Sequence, residues 1–170
     1  MLFRSREKRF DDRGRLQSVM ENLTKIGKAE GVNFNFEQLT RVPNTLDAHR
    51  IMKLAEAEKV DPSKLAENIL CGFFESGLDI SDRDVLVGIA DSSGLSRTDI
   101  NTTLDNELTR SIVLSQEAQV RKSGVSGVPG FLINKRLYAM GAQSTESLVE
   151  TFDRTMFGEE SDLPVSTVVH

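Results

Sequence analysis

The sequence predicts an α/β chain that is mostly α: a run of helices, then one antiparallel β-hairpin, then a closing helix. Three observations carry this. Between Leu16 and Ser123, apolar residues return at helical spacing in five or six successive stretches. Only Gly124–Gln143 is rich in strand formers, with Phe131, Leu132 and Ile133 separated by Asn134-Lys135 from Leu137, Tyr138 and Met140. Beyond it, Ser144 can cap a last stretch bearing Leu148, Val149 and Phe152.

Composition narrows the function classes. A chain of 170 residues suits one domain with a real core, or a small domain carrying an insertion. A net charge of −5 and a pI near 5.1 argue against nucleic acid or an anionic membrane as partner. No window approaches eighteen apolar residues, and Met-Leu-Phe-Arg-Ser-Arg-Glu-Lys-Arg at the start has no apolar h-region, so a cytoplasmic setting is expected. The single cysteine, Cys71, excludes an intrachain disulfide and a Cys-rich metal site. With only His49 and His170 beside it, neither a metal nor a cofactor is expected.

Taken in order, residues 1–13 are basic and poor in apolar positions, which reads as a flexible start. Leu16, Val19, Met20, Leu23 and Ile26 then keep helical spacing until Gly31 stops the helix. Val32, Phe34 and Phe36 alternate with asparagines, as in an extended segment that lays two rings on a core. Pro43-Asn44-Thr45 opens the next helix, whose apolar stripe is Ala48, Ile51, Met52 and Ala55, with His49 at its edge as a surface or half-buried structural residue. Asp61-Pro62 starts another, through Leu65, Ile69, Leu70, Phe73 and Phe74 to Gly77. Cys71 lies mid-helix, with no helix N-terminus or cation nearby to activate it, and reads as a small buried hydrophobe. Ser81-x-x-Asp84 and Ser96-x-x-Asp99 have the form of capping boxes for two further helices. A longer helix carries Leu108, Ile112, Val113, Ala118 and Val120 to Gly124. Residues 158–170 are polar and acidic, then weakly apolar, and read as a disordered tail.

Two motifs carry a resemblance. Gly124-Val125-Ser126-Gly127-Val128-Pro129, a strand, a turn, a second strand and Gly141-Ala142-Gln143 resemble the C-terminal half of a DsbA-like thioredoxin domain. Val42-Pro43-Asn44-Thr45-Leu46-Asp47-Ala48-His49-Arg50 is similar to a signature of the FrnE-type branch of that family, a group of thiol-disulfide oxidoreductases. That branch stands beside 2-hydroxychromene-2-carboxylate isomerases and kappa-class glutathione transferases. The resemblance covers roughly residues 10–157. It implies a thioredoxin-like, DsbA-type fold, with an α-helical insertion domain over 14–123 and the C-terminal part of the thioredoxin-like domain over 124–157.

The resemblance also implies a site. Val128 would offer its backbone N–H and C=O to an extended substrate, Pro129 would be cis, and Gly127 would leave room for the substrate backbone; these three are the candidate substrate-binding residues. Strand addition of this kind gives affinity with little side-chain selectivity, which suits protein or small thiol and disulfide substrates. Gly130 departs from the bulky aromatic common at that place in the family. The family's catalytic Cys-x-x-Cys does not occur in these residues, so no catalytic residue is assigned and the chain is expected to lack the N-terminal, nucleophile-bearing part of the domain. The expected function is a FrnE-like DsbA-family oxidoreductase without that segment. One alternative is an isomerase or glutathione-dependent relative; it is weakened because Ala142-Gln143-Ser144 lacks the carboxylate those relatives often place there. The other alternative is a non-catalytic peptide-binding module. An open hairpin edge would also make the chain self-associate as a homo-oligomer.

Overall fold

The computed structural model describes residues 8–39, 41–122, 129–133 and 136–157. The chain falls into two compact units, Met1–Arg110 and Ser111–His170.

The first unit begins with α1, Lys8–Ala29, and Gly31 follows it at a φ of 83°, the stop read from the sequence. This helix starts well ahead of Leu16, within what reads as a flexible start. Residues 8–15 carry no apolar period, so spacing alone could not find them. Its apolar residues Leu16, Val19, Leu23 and Ile26 are all substantially exposed. Gly27 sits where Phe34 closes on the helix: a Cβ there would come within 2.6 Å of the Phe34 ring. The expected two-ring segment follows, with a 3-10 turn over Phe36–Gln38 that the alternation hides. Phe34 and Phe36 stack at 5.1 Å between ring centroids, and both meet Phe74 edge-on.

Four helices then build the core: α2 (Leu46–Glu58), α3 (Pro62–Phe74), α4 (Arg83–Ser92) and α5 (Arg97–Asp105). α2 neighbours α3 and α5, and α4 neighbours the same two, which closes a ring around a shared interior. Ile51, Leu65, Leu86 and Ile100, one from each helix, are its largest fully buried side chains. Each contributes roughly 1.5–3 kcal/mol by leaving water. Ile80 and Leu95, from the links on either side of α4, join the same cluster.

The helix starts show which polar side chain wins each cap. Asp61 accepts from the Ser63 N–H ahead of Pro62, and Ser96 accepts from the Asp99 N–H while its own hydroxyl donates back to Asp99. At α2, Asn44 accepts from the Leu46 N–H, and Thr45 makes no side-chain cap bond. At α4 the expected Ser81 box does not form. Asp82 caps instead, accepting from Asp84 and Val85, because the Ser81 hydroxyl is already taken by the Asn44 N–H.

α6 (Glu107–Lys122) follows α5 after one residue, Asn106. The expected domain break at 123/124 lies outside the described residues, as does the tail 158–170. In the second unit β1 (Gly130–Ile133) pairs antiparallel with β2 (Arg136–Met140), as the two apolar runs predict. Phe131 faces Ala139 and Leu132 faces Leu137, so Tyr138 is an extra residue and β2 bulges there. The turn at Asn134-Lys135 lies outside the described residues. α7 (Thr145–Phe157) closes the unit.

Candidate functional site

Of the three substrate-binding residues read from the sequence, Gly127 and Val128 lie outside the described residues, and with them the Val128–Pro129 bond. Pro129 is described, exposed, and immediately precedes β1. Its carbonyl accepts the Gly141 N–H at 2.7 Å, next to the Gly130–Met140 pair, so the bond closes the base of the hairpin. Gly141 takes a φ of 81°, which is open to glycine and costly for any side chain. A proline that opens a strand has no N–H to offer the ladder, and here only its carbonyl is used.

Downstream of Gly141 the chain turns straight into α7. Ser144 caps that helix as expected, its hydroxyl accepting from the Ser147 N–H. The Ser147 hydroxyl in turn donates to Gln143 Oε1, which ties the strand end to the last helix. Glu146, in the first turn, is held below the usual carboxylate range by a backbone N–H and by the Ser144 hydroxyl.

The second motif, Val42–Arg50, is fixed from several sides. Val42 is 94% exposed although its neighbours are tied down. Arg41 pairs with Asp79, and the Asn44 N–H reaches the Ser81 hydroxyl. The Ser81 N–H and the Arg41 guanidinium hold the Asp79 carboxyl below its ordinary range. His49 is exposed, as its place at the stripe's edge indicates. Arg50 is the residue whose importance the sequence conceals: it is 4% exposed, the one buried charged side chain among the described residues. A single arginine on a helix otherwise patterned by Ala48, Ile51 and Ala55 gives no signal that it turns inward.

Cys71 is half-buried rather than a fully enclosed hydrophobe, because it lies at the margin of the core face of α3. Its thiol bonds the Glu75 carboxylate, and that bond, with desolvation and the charges of Glu75 and Glu67, pushes its pKa up. Glu75, which also accepts the Asn33 N–H, is correspondingly lowered. Both effects oppose thiolate formation, the reverse of what a nucleophilic cysteine needs. Alkylation of Cys71 by iodoacetamide should therefore show a pH midpoint above that of an ordinary thiol, about 8.5. A midpoint at or below the ordinary value would mean Glu75 does not hold the thiol. Among the described residues no group of three or more His, Cys, Asp and Glu side chains is arranged to hold a metal, and no helix is long and apolar enough to cross a membrane.

Residues 4–153 match the family of DSBA-like thioredoxin domains. The chain belongs to that family. Two solved structures share its fold. A probable DsbA oxidoreductase from Streptomyces coelicolor superposes with a TM-score of 0.75 at 24% identity, over 89% of this chain and 64% of that one. A protein from Nitrosomonas europaea, assigned as a protein disulfide isomerase, superposes with a TM-score of 0.68 at 18% identity, over 82% and 72%. This chain thus spans 64% of the Streptomyces protein's length. Comparison with curated proteins gives no match.

Proposed function

We propose that this chain is the substrate-side portion of a FrnE-type thiol-disulfide oxidoreductase, in which 14–123 is the helical insertion and 124–157 the C-terminal part of the thioredoxin-like domain. The observation that carries this reading is the family match over 4–153 together with the glycine- and proline-rich approach to β1, closed by the Gly141–Pro129 bond. On this reading an extended thiol- or disulfide-bearing segment adds as a strand at Gly127-Val128-Pro129, held by the Val128 main chain. Exchange itself needs a thiolate that attacks a substrate disulfide and a thiol that leaves. Cys71, held protonated by Glu75, supplies neither, so residues 1–170 bind and cover while another thiol reacts. A cytoplasmic setting is part of this reading, and the acidic balance speaks against nucleic-acid or anionic-membrane partners.

A specific observation favours this over the isomerase or glutathione-transferase reading: the Gln143 side chain is already engaged by Ser147, and no carboxylate stands beside it at Ala142 or Ser144. A peptide-binding module without catalysis makes the same use of the loop and differs only in whether a reacting thiol is ever brought to it.

Titration of the full chain with a short S-methylated cysteine peptide, followed by amide NMR, tests the loop. Shifts are expected at 127–131 and 140–143, and Val128→Pro, which removes the N–H, should abolish them. Shifts elsewhere, or binding that survives Val128→Pro, would refute strand addition. In an insulin-reduction assay the chain is expected to stay at the buffer rate. Turnover that vanishes in Cys71→Ser would show that the lone cysteine is the nucleophile after all.

A further inference from the structure

α7 leaves an apolar row open to solvent. Val149, Phe152 and Met156 recur at i, i+3 and i+7, the spacing that aligns them on one face, and they are 50%, 39% and 67% exposed. Phe157, at the end of the helix, is more open still. One border of the row is acidic. Glu146, Glu150 and Asp153 recur at i, i+4 and i+7, all exposed, with Asp153 four residues after Val149 and three before Met156. The opposite border, Leu148, Thr151 and Thr155, is half-buried, and both threonine hydroxyls bond carbonyls of the helix itself.

These carboxylates lack what others in the chain have. Asp79, Asp91, Asp105 and Glu117 each stand against an arginine. Among the described residues no cation is in ion-pair reach of Glu146, Glu150 or Asp153, and Arg154, the one basic residue of α7, pairs with none of them. Glu146 is kept ionised by a backbone N–H and the Ser144 hydroxyl. Like charges three and four residues apart weaken a free helix. The column therefore costs α7 stability that cations lying opposite it would restore.

We propose that this face of α7 docks a basic amphipathic helix of another protein. Apolar side chains of that helix cover Val149, Phe152 and Met156, and its lysines or arginines lie along Glu146, Glu150 and Asp153. The row supplies the burial, as where an amphipathic helix lies on an apolar surface, and the column selects the sign of the partner. Charge decides against the other occupants. An anionic lipid surface or an acidic helix meets the carboxylates with like charge. A second α7 does the same, because an antiparallel pair brings the two columns to one side, so a basic helix displaces it. A single row of this size falls short of the roughly 800 Å² per partner of a permanent interface. The complex is accordingly transient, with a Kd on the order of 10 μM. The inference stands apart from the oxidoreductase reading and uses no residue of it.

The test uses the full chain and a labelled three-heptad peptide with leucine at a and d and lysine at e and g. A sister peptide carries glutamate at e and g. By fluorescence anisotropy the lysine peptide should bind roughly tenfold or more tightly than its sister, the effect of two or three exposed ion pairs. That lead should vanish at about 1 M salt, where the Debye length is about 3 Å. Glu150→Lys with Asp153→Lys should reverse the preference, and Phe152→Ser should weaken both peptides. Glu30→Lys with Glu58→Lys makes the same change of net charge at exposed positions outside α7 and should keep the preference. Equal binding of the two peptides, or unchanged binding in Phe152→Ser, would overturn the proposal. So would a preference lost as fully in the Glu30 and Glu58 variant, which would reduce the effect to net charge. In the parent, amide shifts on adding the lysine peptide are expected over 145–157; shifts confined to other helices would overturn it even if the α7 variants failed to fold.

Discussion

Leu65→Ala is expected to remove about 2–5 kcal/mol of stability, the range for emptying a well-packed aliphatic site. Leu65 is fully buried on α3, in the cluster with Ile51, Leu86 and Ile100, and lies one turn after the Asp61-Pro62 helix start. That part of the helix is held by its cap and proline and cannot easily collapse into a void. Against a net stability of about 5–15 kcal/mol for a domain, such a loss is a large share. Leu70, on the same helix but 54% exposed, provides the control: Leu70→Ala should stay within about 0.5 kcal/mol. Urea unfolding of both variants decides the matter. If Leu65→Ala shifts the midpoint no more than Leu70→Ala, the ring of α2–α5 does not form the core.

The second large effect is a contrast between the two units in amide exchange. Amides of 130–133 and 136–140 are expected to exchange about a thousandfold or more faster than those in α2 and α3. The core helices should open only with global unfolding, at about 5 kcal/mol or above, whereas an isolated two-stranded hairpin is marginal in water. β1 and β2 pair only with each other among the described residues. α7, next in the chain, turns Ser147, Leu148, Thr151 and Thr155 to its more covered side and leaves Val149, Phe152, Met156 and Phe157 exposed. Threonine hydroxyls 151 and 155 are satisfied within the helix by the carbonyls four residues back. An apolar stripe of this kind, together with open strand edges, favours association, so light scattering should find species above the monomer mass. Hairpin amides as protected as those of α2, in a monodisperse monomer, would mean that the second unit is closed and stable by itself.

What could be read in the sequence follows from which signals are local. The hairpin was legible because two apolar runs flank a turn and glycines crowd the proline. α3 and α5 were legible because Asp61-Pro62 and Ser96-x-x-Asp99 are complete start signals within four residues. The cap of α4 was not, because the choice between Ser81 and Asp82 is made by Asn44, thirty-seven residues away. The early start of α1 escaped because its first two turns hold one large apolar residue, Phe10, and so show no period. Of the three candidate substrate-binding residues, Gly127 and Val128 lie outside the described residues, and Pro129 stands at the mouth of β1 with its carbonyl on the Gly141 N–H. The inward turn of Arg50 was hidden, since its reason lies in carbonyls more than fifty positions further on.

The single residue between α5 and α6 also constrains how this chain can change length. Surface loops ordinarily absorb insertions at little cost, since closure entropy grows slowly with length. Asn106 has no such slack. One added residue advances a helix by about 100° around its axis and 1.5 Å along it, which would swing the Thr109 hydroxyl away from the Arg50 Nε that donates to it and turn every later side chain of α6 to a different heading. Relatives that preserve this corner should therefore vary in length at the α3–α4 link or beyond α7, and keep a single residue between α5 and α6 with the threonine three positions after it.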